Sequence, residues 1–278
     1  MLQTKHTKLI DIFASLDRVL VAYSGGVDST LVAKVAFDAL GDRALAVTAA
    51  SPSLMAEDLE EAVRQAAQIG IAHEIIETTE LDDPNYTSNP ANRCYFCKSE
   101  LHGRLVPLAT ARGIEVVVDG ANLDDLGDYR PGFQAAREKG IRSPLIEVGL
   151  TKLEVRELSR GLGLSTWDKP AMPCLSSRFP YGEAIDREKL LRLAAAERFM
   201  RSLGERQFRV RSAGDTARIE LAPERIKEFV LRVDLAELVK AFQSFGYSLV
   251  TLDLEGYRSG KLNAALSPEQ LQRFTQKP

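Results

Sequence analysis

The hexapeptide Ser24-Gly25-Gly26-Val27-Asp28-Ser29 follows five apolar residues, Val19 to Tyr23, and leads into a helical pattern. Two adjacent glycines let the backbone approach an anion closely, and a helix start offers unpaired N–H groups at the positive end of its dipole. Phosphate is the ligand such a turn suits. The loop lacks the lysine of the G-x-x-x-x-G-K-[ST] pattern, which argues against phosphoryl transfer of the kinase or motor type. The competing reading is an ordinary strand-to-helix turn capped by a serine or aspartate.

A second group is the three cysteines, Cys94 and Cys97 in R-C-Y-F-C-K and Cys174 in M-P-C-L-S-S-R, all in turn-rich or helix-start surroundings. A C-x-x-C pair can place two thiolates on one metal, and a third thiolate leaves one metal position open. Structural zinc is normally closed by four ligands, so this set favours a working centre such as a cubane iron–sulfur cluster with one free iron. His102 or His73 would instead close a zinc site. A Cys94–Cys97 disulfide and simple burial of unreactive thiols are the remaining alternatives. Further on, Arg209 and Arg211 alternate along an expected strand, so period 2 puts both guanidinium groups on one face, where they could clamp a phosphate. A solvated basic face is the alternative.

Short β-branched runs alternate with longer helical patterns over the first 170 or so residues, the pattern of a parallel sheet covered on both faces. Strands are expected over 18–23, 44–49, 73–77 and 115–119, each mostly apolar in the middle. Leu54, Leu59, Val63 and Ala66 stripe a surface helix, and Thr151-Lys152-Leu153-Glu154 opens another with a capping box. Asp119, Asn122, Asp125, Asp128, Tyr129 and Arg130 follow the end of the 115–119 strand, the usual place for ligands in an open α/β sheet. Of these, Asp125 and Arg130 are expected to face the ligand or the active-site cleft, with the others ordering the loop. Polar, turn-rich stretches occupy 82–92 and 167–182. Beyond Gly182 a strong helix, two short strands, two helices and a last strand are expected. The division is therefore 1–182, a doubly wound α/β domain, and 183–278, a smaller α+β domain for substrate binding or oligomerisation.

With 278 residues, 45% hydrophobic and 27% charged, the chain can bury a sizeable core. A net charge of −3 argues against attraction to polyanions, so no nucleic-acid partner is expected. The N-terminal residues lack a signal-peptide core and no apolar run is long enough to span a bilayer, so a cytoplasmic location without membrane contact is expected. Three cysteines, an odd number, do not make a disulfide framework.

The pattern S-G-G-x-D-S resembles the PP-loop of the ATP pyrophosphatase superfamily, in which ATP is cleaved between its α and β phosphates. With R-C-Y-F-C-K, D-G-A-N-L-D-D-x-x-D-Y-R-P-G, K-P-A-M-P-C-L-S-S-R-F-P-Y-G and R-V-R-S-x-G-D-x-A-R-I-E-L, it runs in order over most of the chain. Together these motifs resemble the LarE family, ATP-dependent sulfur transferases of nickel-pincer nucleotide synthesis. The resemblance implies the adenine nucleotide alpha hydrolase-like fold and a homo-oligomer. It also implies that a carboxylate of pyridinium-3,5-biscarboxylic acid mononucleotide is adenylylated and attacked by sulfur, with AMP leaving. It assigns Ser24, Gly25, Gly26, Asp28 and Ser29 to ATP, and Cys174 to the sulfur. Single-cysteine members sacrifice that sulfur and leave dehydroalanine. The additional Cys94 and Cys97 favour the [4Fe-4S] form, in which an external donor replenishes sulfide. Arg209 and Arg211, with Arg178 as a weaker candidate, are expected to meet the substrate phosphate. Glu197 and Glu220, near that pair in the family picture, are weighed as divalent-ion ligands against plain surface charges. Mg²⁺ is required on chemical grounds, with Asp28 as a ligand. The alternatives carried are a tRNA thiolase, an amide-forming ligase of the NAD or GMP synthetase type, and a noncatalytic adenine-nucleotide module.

Overall fold

A computed structural model describes residues 2–171 and 173–274. The contacts divide the chain into two compact units, one of Met1–Glu80, Asn92–Ala171 and Glu269–Pro278, the other of Leu81–Ala91 and Met172–Pro268. The division therefore falls before Cys174, earlier than the expected boundary at Gly182. It also assigns the polar stretch from Leu81 to Ala91 to the second unit.

The first unit carries β1 (Val19–Ala22), β2 (Ala44–Ala50), β3 (Ala72–Glu77) and β4 (Val116–Val118), hydrogen-bonded in the order β3-β2-β1-β4. Every pairing is parallel, with Val19 opposite both Ala44 and Val116. All four expected strands are present. Its main helices are α1 (Leu2–Ala14), α2 (Val27–Leu40), α3 (Ala56–Ile69), α4 (Arg93–Ala111), α5 (Gly132–Glu138) and α6 (Lys152–Gly161). Alternation along β1 explains the layering. Val19 and Val21 face one apolar cluster with Leu9, Phe13, Leu31 and Val155, whereas Leu20 faces another with Leu105, Ala109, Ala136 and Ile141. A strand buried on both faces needs helices on both, which is the doubly wound arrangement. Helix α2 is buried over most of its circumference, because α1, α3 and α6 pack around it.

In the second unit, β5 (Phe208–Ala213) and β6 (Thr216–Leu221) form an antiparallel hairpin, and β7 (Leu249–Leu252) joins β6 in parallel. Gly214 turns the hairpin at φ +53°, a conformation glycine adopts without strain. Helix α7 (Arg187–Ser202) packs on β5, followed in chain order by α8 (Ile226–Arg232) and α9 (Leu235–Ser244). Phe229 and Phe242 lie in the core of this unit, while Leu231 and Leu235 are exposed. The segment from Leu81 to Ala91 is stitched in by backbone bonds, Gly182 N–H to Asn89 O at 2.8 Å and Ile185 N–H to Thr87 O at 2.8 Å. No helix among the described residues is long and apolar enough to cross a membrane.

Candidate active site

The phosphate loop joins the C-terminal end of β1 to α2. Gly25 has φ +67°, and a Cβ there would lie 2.7 Å from Ala62 Cβ on α3, so both the backbone conformation and the packing exclude a side chain. Gly26 is the N-cap of α2 and supplies no side-chain cap, which leaves first-turn amides for an incoming anion. The Ser24 and Ser29 hydroxyls lie 3.0 Å apart at the mouth of the loop, and Ser29 Oγ also donates to Gly26 O at 3.2 Å. The first-turn amides are donors of the kind a phosphate oxygen accepts from.

Asp28 on the first turn of α2 has two partners that sequence reasoning missed. Asn122 Nδ2 donates to Asp28 Oδ1 at 3.2 Å, and Lys152 Nζ lies 2.5 Å from Oδ2. The cation absent from the loop itself is thus brought to it by α6, whose capping box of Thr151 and Glu154 fixes the first turn. One signal for Lys152 was available: a lysine in a first helical turn opposes the helix dipole, so it has some other task there. Gly120 is another missed residue. A Cβ on it would sit 2.6 Å from Ser29 N, so the residue after Asp119 must be glycine for the loop to close on α2.

Asp125 and Arg130, expected to face the nucleotide, pair with one another at 2.6 Å. Asp125 also accepts from Asn122 N–H at 3.0 Å and completes a capping box. Burial raises the Asp125 carboxyl pKa, against the opposing pull of Arg130. These two order the loop, and Asn122, expected only to support it, is the residue that reaches Asp28.

Cys94 and Cys97 lie in the first turns of α4, with Cys94 exposed and the Arg93 guanidinium 3.9 Å from its sulfur. Gly132 lets α5 abut this turn, since a Cβ there would be 2.9 Å from Lys98 Cγ. Cys174, also exposed, is the N-cap of a single 3-10 turn, Leu175–Arg178. Cys94 and Cys97, at C-x-x-C spacing, are two soft thiols of the kind that ligate iron or zinc. The histidines weighed for zinc are otherwise placed. His73 Nε2 lies 2.8 Å from Thr48 Oγ1, which itself donates to Tyr23 O, so the imidazole is the Nε2–H tautomer. His102 is buried, neither ring nitrogen has a hydrogen-bond partner among the described residues, and burial with Lys98 nearby pushes its pKa down to about 3.

The charged residues of the second unit differ from the expectation. Arg178 is 1% exposed and forks onto Glu197, at 2.6 Å and 3.0 Å. Arg211 donates to Glu220 at 2.9 Å and to Ser177 O at 2.9 Å. Glu197 and Glu220 are fully buried and committed to guanidinium groups, so a divalent ion would have to displace an arginine. Among the described residues no three His, Cys, Asp or Glu side chains are gathered as a metal site. Far from being surface charges, these two are buried counter-ions to guanidinium groups. Arg209 is buried with its guanidinium 4.6 Å from the Tyr257 ring centroid. Desolvation by burial, with Arg178 adding like charge, pushes its pKa down to about 10, a setting that an anion would relieve.

A profile of the NAD synthase family matches residues 12–104, from α1 through the phosphate loop into α4. The pyridinium-3,5-bisthiocarboxylic acid mononucleotide synthase of Lactiplantibacillus plantarum is 40% identical over 98% of this chain and 99% of its own length. An uncharacterized protein of Synechocystis sp. is 62% identical over 96% of this chain and 100% of its own. A tRNA-specific 2-thiouridylase of Beijerinckia indica is 26% identical over 62% of this chain and 49% of its own.

Proposed function

The chain belongs to the LarE family of ATP-dependent sulfur-transferring enzymes, and on that footing we propose that it adenylylates a carboxylate of pyridinium-3,5-biscarboxylic acid mononucleotide and converts it to a thiocarboxylate. The observation that carries this reading is the lysine-free glycine loop with Lys152 supplied from α6. Gly25, Gly26 and the Ser24 and Ser29 hydroxyls hold the polyphosphate of ATP. Its arrival draws Lys152 off Asp28, and the freed carboxylate is a hard oxygen ligand suited to Mg²⁺. The bound ion would offset charge on the departing pyrophosphate. Adenylylation makes AMP the leaving group at the carboxylate carbon, and a soft sulfur nucleophile displaces it. Arg209 provides the positive field for the mononucleotide phosphate.

For the sulfur, Cys94, Cys97 and Cys174 would hold a [4Fe-4S] cluster, replenished by an external donor. When bound, such a cluster supplies an iron with an open position able to carry sulfide. Exposed Leu231 and Leu235 support the further proposal of a homo-oligomer, which light scattering would test.

Protein reconstituted without oxygen should show a cluster absorption that Cys94→Ala removes, and should release pyrophosphate only with the pyridinium mononucleotide present. ATP binding with no pyrophosphate under any condition overturns the enzyme reading in favour of a noncatalytic module. Iron-free protein that transfers sulfur while Cys174 loses the mass of hydrogen sulfide overturns the cluster in favour of sacrifice. The partial likeness to a thiouridylase keeps a tRNA acceptor in view, and submicromolar binding of bulk tRNA at physiological salt would favour it.

A further inference from the structure

The turn that carries Cys174 is held by side chains that the proposed chemistry leaves without a task. Cys174 O accepts from Ser177 N–H at 3.0 Å, Ser177 Oγ at 2.8 Å and Arg178 Nη1 at 3.3 Å. The same Arg178 nitrogen donates to Pro173 O at 2.8 Å and Ser177 Oγ at 2.8 Å. The remaining face of the guanidinium is spent on Glu197, which also accepts from Val210 N–H at 3.3 Å and is thereby tied to β5. Farther along the turn, Arg211 holds Ser177 O, and Tyr86 OH meets Ser176 Oγ at 2.5 Å.

We propose that Arg178 and Glu197 form a buried mooring that positions Cys174, and that Arg178 is a positioning residue rather than a substrate-phosphate ligand. Two arguments support it. A phosphate reaching Arg178 would have to strip a guanidinium that is 1% exposed of five hydrogen bonds to four residues. Stability alone does not explain the pair either, because replacing a buried ion pair by apolar groups of similar volume is often neutral or stabilising. What an apolar pair cannot do is reach the carbonyls of Pro173 and Cys174. The planar fork can satisfy Glu197 on one edge and those carbonyls on the other, which lysine could not. A cysteine that fixes where the sulfur nucleophile is presented to an activated carbon must hold its position, since displacement of about 1 Å can cost about 100-fold in rate.

The inference rests on the reading that Cys174 handles sulfur, and the test separates the two. In the pair Arg178→Met with Glu197→Gln, the charge is removed from both sites while an acceptor remains for Val210 N–H. The expected result is a folded protein with a thermal midpoint near that of the unsubstituted chain. Amide exchange across 174–177 rises about tenfold, iodoacetamide alkylation of Cys174 changes in rate, and kcat falls roughly 100-fold with KM for the mononucleotide unchanged. Unchanged exchange and unchanged kcat overturn the mooring, as does a raised KM at constant kcat, the signature of a lost phosphate contact. Should the pair fail to fold, Ser177→Ala removes only the hydroxyl link and carries the same expectations in weaker form. Cys174→Ser is the control. If it still transfers sulfur, the assigned role of Cys174 fails, while the exchange and alkylation results still decide the mooring.

Discussion

The phosphate loop and the Cys174 turn solve the same task, holding a short irregular segment still, by opposite means. The loop from Ser24 to Ser29 is held mainly by backbone and its own neighbours in sequence: two glycines, two serine hydroxyls within five residues of each other, and the start of α2. The Cys174 turn is held by side chains from far away, Glu197 on α7, Arg211 on β5 and Tyr86 from the inserted segment. Locally determined anion sites are tolerant of what surrounds them. A turn moored by buried charges depends on each partner being present, since an unpaired buried ion is far more costly than a missing glycine contact.

The largest effect should come from breaking the second device at one end. Glu197→Ala leaves Arg178 charged and without its carboxylate, and should destabilise the protein by about 3–5 kcal/mol in urea denaturation. A smaller loss would mean that water reaches the pair. Next is the first device: Gly25→Ala forces a positive φ on a side chain that also meets Ala62, for a loss of roughly 2–4 kcal/mol and of ATP cleavage. Retention of full pyrophosphate release would show that the loop depends less on its glycine than its geometry implies.

His102 sharpens the contrast from outside both regions, because it is a buried polar group whose ring has no hydrogen-bond partner among the described residues. Its imidazole takes a proton at about pH 6.5 when unfolded but only at about 3 when folded, so stability falls as pH drops through that window. His102→Leu should remove this slope and raise stability at neutral pH by about 1–3 kcal/mol, read from urea midpoints across the pH range. A lowered midpoint would reveal a partner for the ring. The smallest effect should be Thr151→Ala, which breaks the capping box next to Lys152 and should cost about 1 kcal/mol. A loss of ATP cleavage larger than that stability change would tie the cap to the placing of Lys152.

Much of the first unit was legible because periodicity carries it. The 18–23 run shows five apolar residues in sequence, a strand buried on both faces, and the glycine pair after it marks where the backbone turns. The Arg209 and Arg211 alternation correctly put both on one face of β5. Nothing in that spacing told whether the face was wet or covered, because the partners come from other elements. Glu220 reaches Arg211 diagonally across the hairpin, in a register that sets Arg209 opposite Glu220 and Arg211 opposite Arg218. Asp125 and Asn122 were exchanged for the same reason: both suit a turn, and only the closeness of Gly120 to Ser29 decides which one reaches Asp28.

By itself, then, the order of residues determined the sheet, the phosphate loop and the placing of the cysteines at turns and helix starts. Each of these rests on local backbone preference, on a repeat of two or 3.6, or on the intrinsic chemistry of one side chain. The tertiary structure decided what the charged residues do. Lys152 joins Asp28 across 124 positions of sequence, and Arg178 is buried on Glu197 rather than exposed to substrate. A charge takes its role from what lies within a few ångströms, and that distance is set by folding, not by spacing along the chain.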